Sequence, residues 1–244
     1  VAIRSDIFHC IPLFAHLSHR ERSILARELV ETRYRKGEFI FHEGEPATCF
    51  HVLAAGAVKC TKTSPAGKQV TLKILLPGDL FCCDTMVLTG CCYPGSAQPM
   101  EEATVLSLRK ETYYHLLRRN PDTAFRVIEY LSQRLHEAQE LATALALNSA
   151  EQRLATLLVR LASQVGLREG RQVRLTVRLT RQDLADLIGV TLETATRLMC
   201  RFKREALVSG TAKSLVIHDL TRLEERAAQS PAFVSERASV SPRN

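Results

Sequence analysis

The sequence runs to 244 residues, 45% of them apolar, enough for two modest domains that each bury a core without disulfides. Its 33 Lys and Arg against 26 Asp and Glu leave a net charge of +7, a surplus that suits a polyanionic partner without requiring one. No apolar run approaches the roughly 20 residues of a membrane span, and the start VAIRSDIFHC lacks the order of a secretory signal. A cytoplasmic protein with no membrane partner is therefore expected, its eight cysteines reduced thiols before they are structural bridges.

In chain order, Leu17, Ile24, Leu25 and Leu29 recur at helical spacing. From about Arg33 to Leu108, short apolar stretches are punctuated by Gly37, Gly44, Gly56, Gly67 and Gly78. That turn spacing predicts an antiparallel β-roll with FIF, FHVL, VKC and VTLKILL as strands. Tyr113, Leu116 and Leu117 predict a helix closed by Asn120 and Pro121.

Beyond Asp122, Ile128, Leu131, Leu135, Ala138, Ala142 and Leu145 recur at spacings of three and four on one long helix. A stripe so narrow on an Ala-, Glu- and Arg-rich helix reads as a two-helix dimer seam; packing on the β-roll is the alternative. Asn148 or Ser149 can cap the next helix, which carries Leu154, Leu157, Leu158 and Leu161 and ends at Gly166 and Gly170. VRLTVRL at 173–179 reads as a small hairpin or strand, and from about Ser230 a polar composition predicts a disordered tail. The expected organisation is α+β: a β-roll domain with flanking helices over 1–121, the long helix of the dimer seam over 122–147, a second domain over 148–228 and a tail over 229–244.

From Thr180 the chain reads TRQDLADLIGVTLETATRLMCRFKRE. Thr180 can cap a helix with Leu184, Ala185 and Ile188 inward; Gly189 supplies a left-handed turn; Thr191 caps a second helix with Ala195, Leu198 and Phe202 inward. This spacing fits a helix-turn-helix. An ordinary αα-corner would not need Glu193, Thr194, Thr196, Arg197, Arg201, Lys203 and Arg204 on or beside its outer face. Arg197 can donate two hydrogen bonds to guanine, Glu193 can accept from a cytosine amine, and Thr196 can offer a hydroxyl or methyl to thymine. Arg181, Arg201, Lys203 and Lys213 are expected at phosphates, and Thr191 and Thr194 beside the same face.

Together the roll with KGEFIFHEGEPA, LPGDLF and YPGSAQPMEEATVLSL, the long helix, SAEQRLATLLVRLA, the helix-turn-helix and a wing ending LVIHDLTRL resemble the Crp/Fnr family of bacterial regulators over nearly the whole length. The resemblance implies a cyclic-nucleotide-binding-like β-roll (jelly roll), a dimer along the long helix and a C-terminal winged helix-turn-helix, with RNA polymerase as a further partner. ETATR at 193–197 looks like the Fnr branch's recognition pattern with Thr196 in place of serine, which implies palindromic DNA with TTGA-like half-sites. Cyclic-AMP-binding members place a glutamate after the glycine of the strand-end motif and an arginine just before a Ser or Thr. Here Asp79 follows Gly78 and Gly95 precedes Ser96, so cyclic AMP bound in the usual way is not expected.

The cofactor is left open. FCCDTMVLTGCCYPGS places Cys82, Cys83, Cys91 and Cys92 within eleven residues, with Cys10 and Cys49 as further candidates. Four such thiolates can hold an iron–sulfur cluster or a thiophilic metal, and two can form a redox-controlled disulfide. Adjacent residues in a strand point to opposite faces, so each pair converges on one site only through irregular backbone. The alternatives are cysteines as core filler beside a small organic or oxyanion ligand in the roll, or haem held by His9, His16, His42 or His51. Cys60 reads as a core residue, and Cys200 falls near the DNA-facing side of the recognition helix, where oxidation would block binding. No low-pKa cysteine beside a fixed histidine is evident, so enzymatic turnover is not expected.

Overall fold

The computed structural model describes residues 14, 17–82, 85, 90–211 and 214–228. It divides into two compact units, 1–134 and 135–244. Cys10, Cys83, His9, His16, Lys213 and the predicted tail lie outside the described residues. No described helix is long and apolar enough to cross a membrane.

In the first unit, α1 (His19–Glu28) starts at Ser18, which forms a reciprocal capping box with Glu21. The strands are β1 (Val30–Tyr34), β2 (Cys49–Ala55), β3 (Val58–Thr63), β4 (Gln69–Leu75), β5 (Leu80–Phe81), β6 (Ser96–Pro99) and β7 (Ala103–Arg109). They form two antiparallel sheets, β1-β7-β2-β5 and β4-β3-β6. A single core draws Phe50, Val52, Leu53, Val105 and Leu106 from the first sheet and Val58, Leu75 and Ala97 from the second, which closes the roll. Leu17, Leu25 and Leu29 seal it beside α2 (Lys110–Arg119), whose Tyr113 stacks on Phe50.

One predicted strand and the start of the roll need correction. FIF forms no regular strand, because Phe41 makes only an isolated bridge to Ala97 between turns at Gly37 and Gly44. The roll also begins earlier than Arg33, since Val30 already pairs with Ser107.

A 27-residue helix, α3 (Pro121–Leu147), gives its first half to this unit and its second half to the other. Thr123 and Val127 are buried, and Tyr130 and Leu131 pack on the roll core. The Tyr130 hydroxyl donates to the Leu80 carbonyl at 2.7 Å, while Arg134 pairs with Asp79 at 3.3 Å. Of the predicted seam, Leu131 is thus partly used by the roll. Ile128, Leu135, Ala138, Ala142 and Leu145 are exposed in the single chain, Leu135 by 61%.

The second unit continues with α4 (Ala150–Val165), capped by Ser149 and Gln152, and the hairpin β8 (Gly166–Glu169) and β9 (Gln172–Leu175). Then come α5 (Arg181–Leu187), α6 (Leu192–Arg204), β10 (Val208–Thr211), β11 (Ser214–Ile217) and α7 (Leu220–Ala228). The strands join in the order β10-β11-β9-β8. Of the stretch 173–179, read as a small hairpin or strand, 173–175 lie in strand β9, whose hairpin partner comes from 166–169, so Gly166 both caps α4 and opens β8.

Candidate nucleic-acid interface and sensory segment

The α5–turn–α6 unit is fixed from its caps upward. The Thr180 hydroxyl accepts from the Asp183 N–H at 3.1 Å, and the buried Asp183 carboxylate takes the Thr180 N–H and hydroxyl at 2.9 and 2.6 Å. Leu184, Ala185 and Ile188 are buried as expected. Gly189 turns the chain at φ +64°, a conformation that favours glycine, and a Cβ there would stand 2.6 Å from the movable end of the Leu145 side chain. Leu145 therefore lies over the turn as well as along the predicted seam.

Thr191 caps α6 by accepting from the Thr194 N–H at 3.3 Å. The inward face is Ala195, Met199 and Phe202; Leu198, expected inward, is only half-buried, because one further residue of helical rotation carries Met199 to the core. Outward stand Glu193, Thr196, Arg197 and Cys200, all exposed, with Thr194 half-buried beside its cap. The Glu193 carboxyl is held below its usual range by its own backbone N–H and by the Thr191 hydroxyl, so it is an ionised acceptor at the helix start. Arg197 has no ion-pair partner among the described residues.

The residues expected at phosphates divide. Arg181 is half-buried at the first position of α5 and Arg204 is exposed on α6. Lys203 donates to the Gly210 carbonyl at 2.6 Å, which ties α6 to β10. Arg201 is not a free cation: its guanidinium donates to Glu205 at 2.9 Å and to Glu151 at 2.7 Å. Sequence reasoning missed Arg153. Its Nε donates to the Ile188 carbonyl and its Nη1 to the Asn148 carbonyl, each at 2.7 Å, joining the end of α3 to the helix-turn-helix corner. The available signal was a cation set next to Leu154 on the inward stripe of α4.

In the roll, Tyr93 neighbours two of the candidate sensor cysteines, Cys49 and Cys82. Its hydroxyl accepts from the Cys49 N–H at 3.4 Å and donates to the Cys49 carbonyl at 3.3 Å, while burial first and then the nearby Cys82 and Cys49 sulfurs push its pKa up. Cys91 and Cys92 precede it on a segment that pairs with 45–47: the Ala47 N–H donates to the Cys91 carbonyl at 3.0 Å, and Pro46 bridges Cys92. Cys91 is half-buried and Cys92 exposed. Cys82 adopts φ +63°, an uncommon left-handed turn for a residue with a side chain. Among the described residues no three His, Cys, Asp or Glu side chains are gathered to hold a metal. Burial pushes the Cys60 thiol up to about 11, which keeps it protonated and inert, in line with its reading as core.

Two expected ligand positions are also placed. The Asp79 carboxylate is taken up by the Leu76 N–H at 2.9 Å and by Arg134. At Gly95 a Cβ would stand 2.7 Å from the Thr61 carbonyl oxygen, so no side chain fits without a backbone shift. Of the histidines, His42 stacks on Phe39, whereas His51 is buried with both ring nitrogens engaged, by Ser107 at 2.9 Å and by Tyr93 at 3.2 Å.

Comparison with known proteins supplies the family. Residues 31–120 match the cyclic nucleotide-binding domain, and residues 152–226 match the Crp-like helix-turn-helix domain. The cyclic AMP receptor protein of Thermus thermophilus is 30% identical over 216 residues, 88% of this chain and 96% of that protein. The chain belongs to the Crp/Fnr family of transcription regulators. The fumarate and nitrate reduction regulatory protein of Vibrio cholerae is 27% identical to this Crp/Fnr regulator over 225 residues, 91% and 87% of the two lengths. FixK2 from Bradyrhizobium japonicum shares its fold, with a TM-score of 0.71 at 23% identity over 81% of this chain and 96% of that one. As a Crp/Fnr regulator the chain is a DNA-binding protein rather than an enzyme, and α5 and α6 lie within its matched helix-turn-helix domain.

Proposed function

We propose that the regulator acts as a homodimer, one α6 from each copy entering the major groove of a palindromic site with TTGA-like half-sites, and that its signal enters through the cysteine-bearing edge of the roll. The observation that carries the reading is the outer face of α6, where Glu193, Thr196 and Arg197 stand exposed side by side on a helix capped by Thr191 and preceded by a corner that Arg153 bridges. Arg197 suits the guanine of the half-site, ionised Glu193 the amine of its cytosine partner, and the Thr196 methyl a thymine. Arg181 and Arg204 set the register on phosphates. The dimer reading rests on Ile128, Leu135, Ala138 and Ala142, an apolar stripe that the single chain leaves in water. Transcription would respond through RNA polymerase recruited or blocked at the bound site.

The residues present do not fit a cyclic nucleotide held by a ribose-binding acid and a phosphate-binding arginine. Asp79 is engaged within its own turn and with Arg134, and position 95 admits no side chain. Near Tyr93 the thiols of Cys49, Cys82 and Cys91 are half-buried and that of Cys92 is exposed. This favours the cysteine reading of the signal over an organic ligand or haem.

Arg197→Ala tests the recognition assignment. Against a palindromic duplex selected from a random library, binding is expected to weaken about 10- to 100-fold, with random DNA and the dimer little changed. Unchanged discrimination between the two duplexes would sink it.

A further inference from the structure

Two arginines and two glutamates close a ring on the DNA-binding unit. Arg201 Nη1 and Arg226 Nη1 both donate to Glu151, one to each carboxylate oxygen. Arg201 Nε and Arg226 Nη2 donate to the two oxygens of Glu205, each at 2.9 Å. The four residues come from the first turn of α4, the last turn of α6, the C-cap of α6 and the last turn of α7. Every carboxylate oxygen in the ring accepts from an arginine, and the glutamates are only 20% and 26% exposed. This is a better-ordered arrangement than an isolated surface pair. Arg201 lies four residues beyond Arg197 on α6, among Lys203 and Arg204, on the stretch of helix where a free guanidinium would meet phosphate.

We infer that Glu151 is a positioning residue for DNA selectivity: by holding the Arg201 guanidinium in the ring, it fixes the C-terminal end of α6 and withholds one cation from the phosphate backbone. The inference rests on α6 being the recognition helix. Phosphate contacts tighten binding to any sequence, and a loosely seated complex on random DNA can adjust to take a released cation more readily than one whose register is set by base contacts. Neutralising Arg201 inside the protein therefore lowers background binding more than specific binding.

The test is fluorescence anisotropy of the full-length protein on the selected palindrome and on a scrambled duplex, across a range of salt, with thermal unfolding as a check on the fold. Glu151→Gln is expected to tighten scrambled DNA roughly three- to tenfold, to steepen its log–log salt dependence by about 0.9, and to lower the specific-to-random ratio. Adding Arg201→Gln to that variant should return the slope to that of the unsubstituted protein. Arg201→Gln alone should leave the slope unchanged, because the cation it removes was already neutralised. A slope shallower by about 0.9 in Arg201→Gln would place Arg201 on phosphate already and overturn the inference. So would weaker binding to both duplexes at unchanged slope in Glu151→Gln, which would make the ring a brace of the fold alone. Absence of any preference for the palindrome in the unsubstituted protein would instead count against the recognition assignment.

Discussion

Buried between the strands of the roll, His51 stacks on Phe41 and Phe81 at 5.4 and 5.0 Å and gives its two ring nitrogens to Ser107 and Tyr93. Burial lowers its pKa from 6.5 to about 4. The unfolded chain takes up a proton near pH 6.5, which the folded roll refuses until about pH 4. Stability contributed by the neutral ring is thus complete above pH 6.5 and declines as pH falls, by up to about 3 kcal/mol at pH 4. Urea unfolding followed by near-ultraviolet circular dichroism should show this decline in the unsubstituted protein and a flatter profile between pH 6.5 and 4 in His51→Gln. Identical profiles would mean that the ring titrates normally. No sequence pattern distinguishes this histidine from His42, since burial is decided by strands that lie far apart in the chain. The same holds for one of the two partners of Arg201: Glu205 is its i+4 neighbour and legible as such, whereas Glu151 comes from another helix.

At the scale of elements, what the sequence made legible was whatever local chemistry sets. Caps at Thr180 and Thr191, the glycine at 189 and the stripes of α3 and α4 each depend on near neighbours, and the helices form where those signals stand. Strands fared worse. VETRY shows little apolar alternation because β1 is partly exposed along its length, and FIF is apolar for packing rather than for ladder pairing. Gly189→Ala tests the corner directly: a methyl in the left-handed region and against Leu145 is expected to cost about 1–3 kcal/mol, read as a lower thermal midpoint of the DNA-binding unit. For α3, Leu135→Glu puts two charges into the proposed seam of a symmetric dimer, one from each copy. The expected result is dimer affinity weakened on the order of 100-fold or more by sedimentation equilibrium, with the helical circular dichroism signal retained. An unaltered dimer would move the interface off this stripe.

For the whole molecule, the proposed input and the helix-turn-helix lie in different units, and α3 is the element with residues in both. Its first half is attached to the roll through Tyr130 on Leu80 and Arg134 on Asp79, and the β5 strand that begins at Leu80 runs directly into Cys82. Chemistry at the cysteine-bearing edge therefore acts two residues from a hydrogen bond that seats the long helix, the kind of coupling a population shift needs. The sequence showed the density of cysteines there but not their arrangement, because which thiols meet depends on how 45–49, 80–82 and 91–93 are brought together. If this edge is the input, treating the reduced protein with a disulfide-forming oxidant, with zinc or with copper(I) should change its affinity for the selected palindrome at least several-fold in one of the three cases. Replacing Cys49, Cys82, Cys91 and Cys92 with serine should leave a folded dimer whose affinity no longer responds. A response that survives in the four-serine protein would move the input to Cys10, Cys83, Cys200 or a ligand site in the roll, and a recognition helix with its cysteine intact makes Cys200→Ser the control that separates direct damage at the DNA face from a signal sent through α3.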